Sequence, residues 1–308
     1  MFGSAFSGMG VGLATLPIPI SWGIEKSLDL VNAYSLNYPS TIYHHSVEEI
    51  AGEFYRLSPV RALQVSPECH NYTPCKIGIH GAGETGVNLD QALAILTLVK
   101  FKYPEYFVLE NAWLYRNSAS FAAILAGLHQ LTYKVSFRCL DSSNYGVAQS
   151  RKRLFLVATR QDKPNYRWPA PTTNKSKPGW LSAIADLIPG LPDSEFPDYQ
   201  LPYIPKTHIP ILVDGQLNHA KTAGRSPGIT IRFENQPCFT IGATVSRRPI
   251  KIRLLDGTVK QLNTRCIARL MGLPDSFKLP DNRQLALKGL GNGITPAVLT
   301  ALVNQMEL

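Results

Sequence analysis

The stretch Leu89-Asp90-Gln91-Ala92-Leu93-Ala94-Ile95-Leu96-Thr97-Leu98-Val99-Lys100-Phe101-Lys102-Tyr103-Pro104-Glu105-Tyr106-Phe107-Val108-Leu109-Glu110-Asn111 decides the architecture. From Leu89 to Lys102 apolar residues recur at helical spacing, and shortly after Pro104 the run Phe107-Val108-Leu109 suits a buried strand. Working outward, Ser120 to Leu131 repeats the helical pattern and Arg153 to Ala158 (RLFLVA) the buried-strand pattern. Such alternation predicts an α/β domain, a parallel sheet flanked by helices. The pattern turns helical again from Leu262 to Leu308, with Cys266–Met271 and Pro296–Met306 as candidate helices.

Between these parts the composition changes. Residues 160 to 265 hold 15 Lys+Arg against 8 Asp+Glu, and 13 of the 23 prolines fall between Pro164 and Pro249. Prolines at this density predict short strands and loops. A basic, loop-rich insert reads as a surface for polyanions, nucleic acid first among them, or as a merely solvated surface. At 308 residues the chain is long enough for two domains. No uninterrupted apolar stretch of membrane-spanning length and no leader pattern is found, and the five scattered cysteines are unlike a secreted disulfide framework. The expectation is a cytoplasmic protein with reduced thiols and no membrane.

Four segments can carry chemistry. Phe6-Ser7-Gly8-Met9-Gly10-Val11-Gly12 lies at the end of an opening strand and before a helix, and Glu25 follows the next apolar segment, where a carboxylate can accept both hydroxyls of a ribose. A ligand-free turn and a dinucleotide site are the other readings. Ser66-Pro67-Glu68-Cys69-His70-Asn71-Tyr72-Thr73 is a polar loop in which Cys69 is a nucleophile, an inert thiol, or, with His70, Cys75 and His80, part of a metal site of no familiar spacing. Glu110 ends its strand on the side where open α/β sheets bind ligands, unless Glu110-Asn111 is a helix cap or a solvated edge. Tyr145-Gly146-Val147-Ala148-Gln149-Ser150-Arg151-Lys152-Arg153 precedes a strand, with Arg151 and Arg153 on one side of an extended chain.

Order and content together are specific. Phe-x-Gly-x-Gly, Pro-x-Cys, Glu-Asn, Gln-x-Arg-x-Arg, a basic variable region, Arg269-Leu270-Met271-Gly272-Leu273-Pro274-Asp275-Ser276-Phe277 and Gly291-Asn292 resemble the DNA (cytosine-5) methyltransferases over almost the whole chain. The resemblance implies a Rossmann-like catalytic domain of residues 1–160 and 250–308 and a target-recognition domain of residues 161–249. It implies S-adenosyl-L-methionine as cofactor, double-stranded DNA as partner, base flipping, and membership among restriction-modification enzymes. No metal and no obligate protein partner are expected.

Roles follow residue by residue. Cys69 matches the nucleophile that adds to cytosine C6, Glu110 the proton donor to N3, Arg153 the group orienting Glu110 and the base, and Arg151 a group nearer the phosphate. Gln149 organises the loop and, with Arg151, Arg247 and Arg248, faces DNA. Phe6, Gly8, Met9, Gly10, Glu25, Lys26, Ser46 and Asn292 match cofactor-binding positions, the last on a C-terminal segment that packs back beside the first strand. Departures are Glu68 and His70 around the nucleophile, Ser4-Ala5 before Phe6, Val11 for a glycine, Ser46 for an acidic residue and Cys266 after Arg265. A carboxylate at Glu68 pointing inward would oppose thiolate formation. An RNA cytosine-5 methyltransferase and a non-catalytic DNA-binding relative are the alternative functions.

Overall fold

The computed structural model describes residues 1–69, 72, 86–173, 176–198, 200–214 and 229–308. The chain divides into two compact units, Met1–Asp141 with Lys152–Ala170 and Val298–Leu308, and Ser142–Arg151 with Pro171–Ala297. Residues 142–151 and all of 250–297 thus group with the Pro-rich insert by compactness, whereas the sequence reading places them with the catalytic sheet.

In the first unit, β1 (Phe2–Ala5), β2 (Ile20–Glu25), α1 (Leu28–Ser35), β3 (Thr41–His44), β4 (Ala62–Val65), α2 (Gly86–Lys102), β5 (Tyr106–Asn111), α3 (Ala119–Gln130), β6 (Lys134–Asp141) and β7 (Lys152–Thr159) follow in order. The sheet runs β3-β2-β1-β4-β5-β7-β6. β3, β2, β1, β4 and β5 are parallel, whereas β7 is antiparallel to both β5 and β6. The expected parallel sheet therefore stops at β5. Only residues 142–151 join β6 to β7, too few for the helical crossover that parallel neighbours require.

α2 ends where Tyr103 turns to φ 42° and Pro104 follows, which cannot continue a helix. Its Ile95, Leu98 and Val99 join Phe107 and Leu109 of β5, Ile124 and Leu128 of α3 and Leu154 and Leu156 of β7 in one buried core. α3 starts at Ser118, whose Oγ accepts from the Phe121 N–H at 3.0 Å. Tertiary burial on both faces of the sheet explains why these strands read as continuous apolar runs.

The second unit contains α4 (Trp180–Ile184), β8 (Ile211–Asp214), β9 (Thr230–Phe233), β10 (Lys251–Arg253), β11 (Val259–Gln261), α5 (Thr264–Leu270) and α6 (Arg283–Asn292). Its antiparallel sheet, β11-β10-β8-β9, packs Ile211 and Val213 against Phe196. The strands are three or four residues long, as the proline density predicts. α7 (Pro296–Val303) follows, and in the first unit its Thr300 hydroxyl donates to the Thr15 carbonyl at 3.1 Å, just beyond the loop that follows β1.

Among the described residues, Arg283–Val303 alone has the length and hydropathy of a membrane span. It is two helices rather than one, interrupted at Gly293–Thr295, and 67% of its most apolar window is buried within the protein.

Candidate active site

β1 lies between β2 and β4, so the loops leaving the carboxyl ends of β1 and β4 turn to opposite sides of the sheet and open a crevice between them. The loop after β1 is the glycine turn. Phe6, Gly8 and Gly10 all have positive φ, at 57°, 55° and 77°. For Phe6 this is a costly conformation that the surroundings must impose. Gly10 is required for a second reason, since a Cβ there would lie 2.2 Å from the Tyr38 ring, whose hydroxyl donates to the Gly10 carbonyl at 2.6 Å. The expected helix after this turn is only the short 3-10 turn Val11–Leu13.

Glu25, the last residue of β2, is nearly buried. Its Oε2 accepts from the Gly8 N–H and its Oε1 from the Ser27 N–H, both at 2.9 Å. A carboxylate offers about four lone-pair directions, so each oxygen keeps capacity for a further donor. Met9 is 1% exposed, so its side chain belongs to the interior and only its main chain shares in the turn.

Lys26, Ser27, His44, His45, Ser46 and Glu49 line an open depression of about 710 Å³ beside the ends of β2 and β3. Ser46 there forms a reciprocal cap with Glu49, its N–H donating to Glu49 Oε2 at 2.8 Å and its Oγ accepting from the Glu49 N–H at 3.1 Å. These bonds hold the Glu49 carboxyl below its ordinary range. Ser46 is therefore occupied in starting the 3-10 helix Glu49–Arg56.

The loop after β4 is fastened residue by residue. The Ser66 N–H donates to the Ala5 carbonyl at 3.3 Å, and the Ser66 hydroxyl lies 2.5 Å from Glu110 Oε2. Asn111 Nδ2 donates to the Pro67 carbonyl at 2.9 Å, and the Glu68 N–H makes a long 3.4 Å bond to Gln91 Oε1 on α2. The Glu68 carboxylate pairs with Lys26, and both side chains are substantially exposed, so its charge is directed toward a cation. That hydrogen bond raises the Lys26 ammonium above its ordinary pKa. Cys69, half-buried and not in a disulfide, ends this fastened segment. Glu110 is 4% exposed, and its other oxygen, Oε1, faces Arg153 Nε at 3.3 Å.

The first unit thus brings together the Cys69 loop, Glu110, Arg153, the glycine turn, Glu25 and Lys26. Ser66, Asn111, Gln91 and Tyr38 have no role in the sequence reading. Ser66 and Asn111 fall within motifs of the sequence, but their partners, Glu110 and Pro67, each lie 44 residues away along the chain.

Gln149, Arg151, Asn292, Arg247 and Arg248 belong to the second unit. Gln149 is fully buried, donating through Nε2 to Met271 Sδ at 3.2 Å and accepting from the Ile241 N–H at 3.2 Å. Arg151 is 3% exposed and donates to the carbonyls of Ile241 at 2.7 Å and Gly291 at 2.8 Å. Both side chains brace their own unit, in place of the DNA-facing positions expected of them. A buried guanidinium needs acceptors for its donors, and these carbonyls take one donor from each of its terminal nitrogens. Arg151 immediately precedes β7, which begins at Lys152, and its side chain is buried on carbonyls of the second unit while that of Arg153 faces Glu110.

Arg247 is exposed and Arg248 half-buried. They follow a 3-10 turn, Ala243–Ser246, with N–H bonds to Thr244 and Val245, so the extended backbone expected for this pair is not what forms. Arg269 binds Asp275 through two bonds, at 2.8 and 2.6 Å, and Asp186 through one at 2.5 Å. Asn292, exposed, ends α6. Of the metal reading, His70, Cys75 and His80 lie outside the described residues, among which no cluster of three or more His, Cys, Asp or Glu could hold an ion.

Comparison with known proteins gives a consistent relationship. The type II methyltransferase M.NlaX of Neisseria lactamica is 27% identical over 218 residues, covering 67% of this chain and 64% of that protein. M.AplI of Arthrospira platensis is 25% identical over 207 residues, covering 67% and 57%. The matched region is thus less than two thirds of either relative's length. M.FnuDI of Fusobacterium nucleatum is 24% identical over 307 residues, covering 89% and 84%. The fold is shared with the Entamoeba histolytica methyltransferase EhMeth, at TM-score 0.68, 14% identity and coverage of 99% and 96%, and with the S. pombe Dnmt2 methyltransferase, at 0.62, 15% and the same coverages. The family model for C-5 cytosine-specific DNA methylases matches residues 2–308, and with the glycine turn, the Cys69 loop and Glu110 arrayed at the ends of neighbouring strands, the chain belongs to that family.

Proposed function

We propose that this protein methylates C5 of cytosine in double-stranded DNA through covalent addition of Cys69. The observation that carries this reading is the placement of the fastened Ser66–Cys69 segment against a buried carboxyl, Glu110, paired with Arg153, at the sheet's switch point. Cytosine C5 is a poor nucleophile, so a thiolate must first add to C6 and push electron density toward C5 and N3. Glu110 gives its proton to N3 as Cys69 Sγ bonds to C6, and Arg153 orients the Glu110 carboxyl and the base. C5 then takes the methyl group. Loss of the C5 proton to a base expels Cys69 from C6, and the N3 proton returns to Glu110. The base must leave the duplex stack to reach these groups.

S-adenosyl-L-methionine, when bound, supplies the methyl group on an electrophilic sulfonium. The donor set suits it. Glu25 retains acceptor capacity for the ribose hydroxyls, and the positive-φ turn at Phe6–Gly10, with Lys26 following Glu25, brings backbone to the crevice. For the DNA, 12 Lys+Arg against 7 Asp+Glu between residues 171 and 265 support a role for the second unit in meeting phosphates, with Arg247 and Arg248 as contacts. The division into catalytic and target-recognition parts follows the same reasoning.

Bisulfite sequencing of plasmid DNA from cells expressing the protein tests the activity and reads out the target sequence together. Cytosines protected at one recurrent sequence are expected. An absence of protection, with methyl transfer from labelled cofactor to transfer RNA instead, would replace the substrate class, and no transfer to either would leave a non-catalytic relative.

A further inference from the structure

Resting on the methyltransferase reading, we propose that Ser66 is a positioning residue that acts through Glu110 by holding the oxygen that carries the transferred proton. The two oxygens of this buried carboxyl face chemically different partners. Arg153 Nε, 3.3 Å from Oε1, belongs to a guanidinium, which only donates, so a proton on Oε1 would be set against a donor. The Ser66 hydroxyl, 2.5 Å from Oε2, can donate or accept by rotating about its C–O bond. Oε2 is therefore the oxygen that can hold a proton without losing a partner, and Ser66 is the group that makes both protonation states of Glu110 satisfiable.

The proton count balances. Before reaction Oε2 bears the proton and Ser66 accepts from it. As the Cys69 Sγ–C6 bond forms, that proton passes to N3, Glu110 becomes a carboxylate, and the Ser66 hydroxyl rotates to donate to Oε2. When the Sγ–C6 bond breaks, N3 returns the proton and the hydroxyl rotates back. Ser66 neither gains nor loses a proton and touches no reacting atom. Its own position is secured by the donation of its N–H to the Ala5 carbonyl at 3.3 Å, by Pro67, and by the Asn111 bond to the Pro67 carbonyl at 2.9 Å, so its hydroxyl stays beside the end of β5.

The test uses the full chain with Ser66→Ala and Ser66→Thr. Transfer from radiolabelled S-adenosylmethionine to plasmid DNA gives kcat and KM, calorimetric titration gives cofactor affinity, and a duplex synthesised with 5-fluoro-dCTP in place of dCTP gives the rate of denaturation-resistant adduct formation. Ser66→Ala should lower kcat and the adduct rate about 10- to 100-fold, the scale of one lost hydrogen bond to a charged group, with cofactor affinity and the KM for DNA within about twofold of wild type. Ser66→Thr, which keeps the hydroxyl, should recover at least half of the loss on a logarithmic scale. Unchanged kcat in Ser66→Ala, equal loss in Ser66→Thr, or a fall confined to KM or cofactor affinity would overturn the assignment of Ser66. Failure of the wild-type protein itself to transfer methyl or form adduct would instead overturn the cytosine-methylation reading beneath it.

Discussion

Replacement of Glu25 separates a ligand-binding carboxylate from a merely structural one. In the folded protein it accepts two backbone N–H bonds, from Gly8 and Ser27, each 2.9 Å long, and it is 9% exposed. Hydrogen bonds to charged groups contribute about 1.5–3 kcal/mol each, but the two cannot simply be added, because water entering the space left by Glu25→Ala can meet the freed N–H groups. A stability loss of about 2–3 kcal/mol is expected, read as a lowered urea midpoint at constant slope. Cofactor binding should weaken by about 1–3 kcal/mol, or roughly 5- to 150-fold in Kd, because the ribose loses its charged acceptor and the Gly8 segment its anchor. Glu25→Gln retains one carbonyl acceptor but sets an amide donor against an N–H, so it should fall between wild type and Glu25→Ala. Calorimetric titration with S-adenosylmethionine at a temperature where each variant is fully folded measures the effect. DNA affinity should change little. An unchanged Kd in both variants, despite the stability loss, would refute the ribose-binding role and leave Glu25 as a fastener of the turn alone.

Cys69→Ser should abolish methyl transfer and the 5-fluorocytosine adduct while cofactor affinity, measured calorimetrically, stays at the wild-type value; an adduct mapped to Cys75 would sink the nucleophile assignment. Replacing Arg247 and Arg248 together with Gln should weaken binding to all duplexes and reduce the slope of log K against log salt by roughly one or two ion equivalents, with the methylated sequence unchanged by bisulfite sequencing. A changed sequence at an unchanged slope would make them base readers. Glu105, held below its ordinary pKa first by Arg61 and then by Lys163, stabilises the fold above the unfolded carboxylate pKa of about 4.3, and that contribution is lost as pH falls further through the lower folded value. Glu105→Gln should therefore flatten the acid limb of stability by less than about 1 kcal/mol, since the Arg61 partner is 43% exposed, and equal acid limbs in urea titrations of the two proteins would remove the pair from the account.

Much of the architecture was legible in sequence because burial on two faces leaves a local record. The apolar run at Phe107–Leu109, the helical spacing of Leu89–Lys102 and the RLFLVA run each became the element expected, within three residues at either end. Glycines demanded by positive φ left their mark at Gly8 and Gly10, and a carboxylate at the end of a strand marked Glu25 and Glu110. What those residues bond to was decided only by the tertiary structure. The direction of β7 depends on pairing with strands on either side, which a buried apolar run does not encode. Arg151 and Arg153 are two positions apart in one basic motif, yet Arg151 is a buried brace on the carbonyls of Ile241 and Gly291 while Arg153 faces Glu110. Ser46 reads as a weakened cofactor contact and is a helix cap. Ser66 lies 44 residues from Glu110 along the chain, and no local pattern marks a serine whose partner is a carboxyl two turns of topology away. Periodicity records which side of an element meets the core, but a hydrogen bond between distant segments exists only once the sheet sets their strand ends side by side.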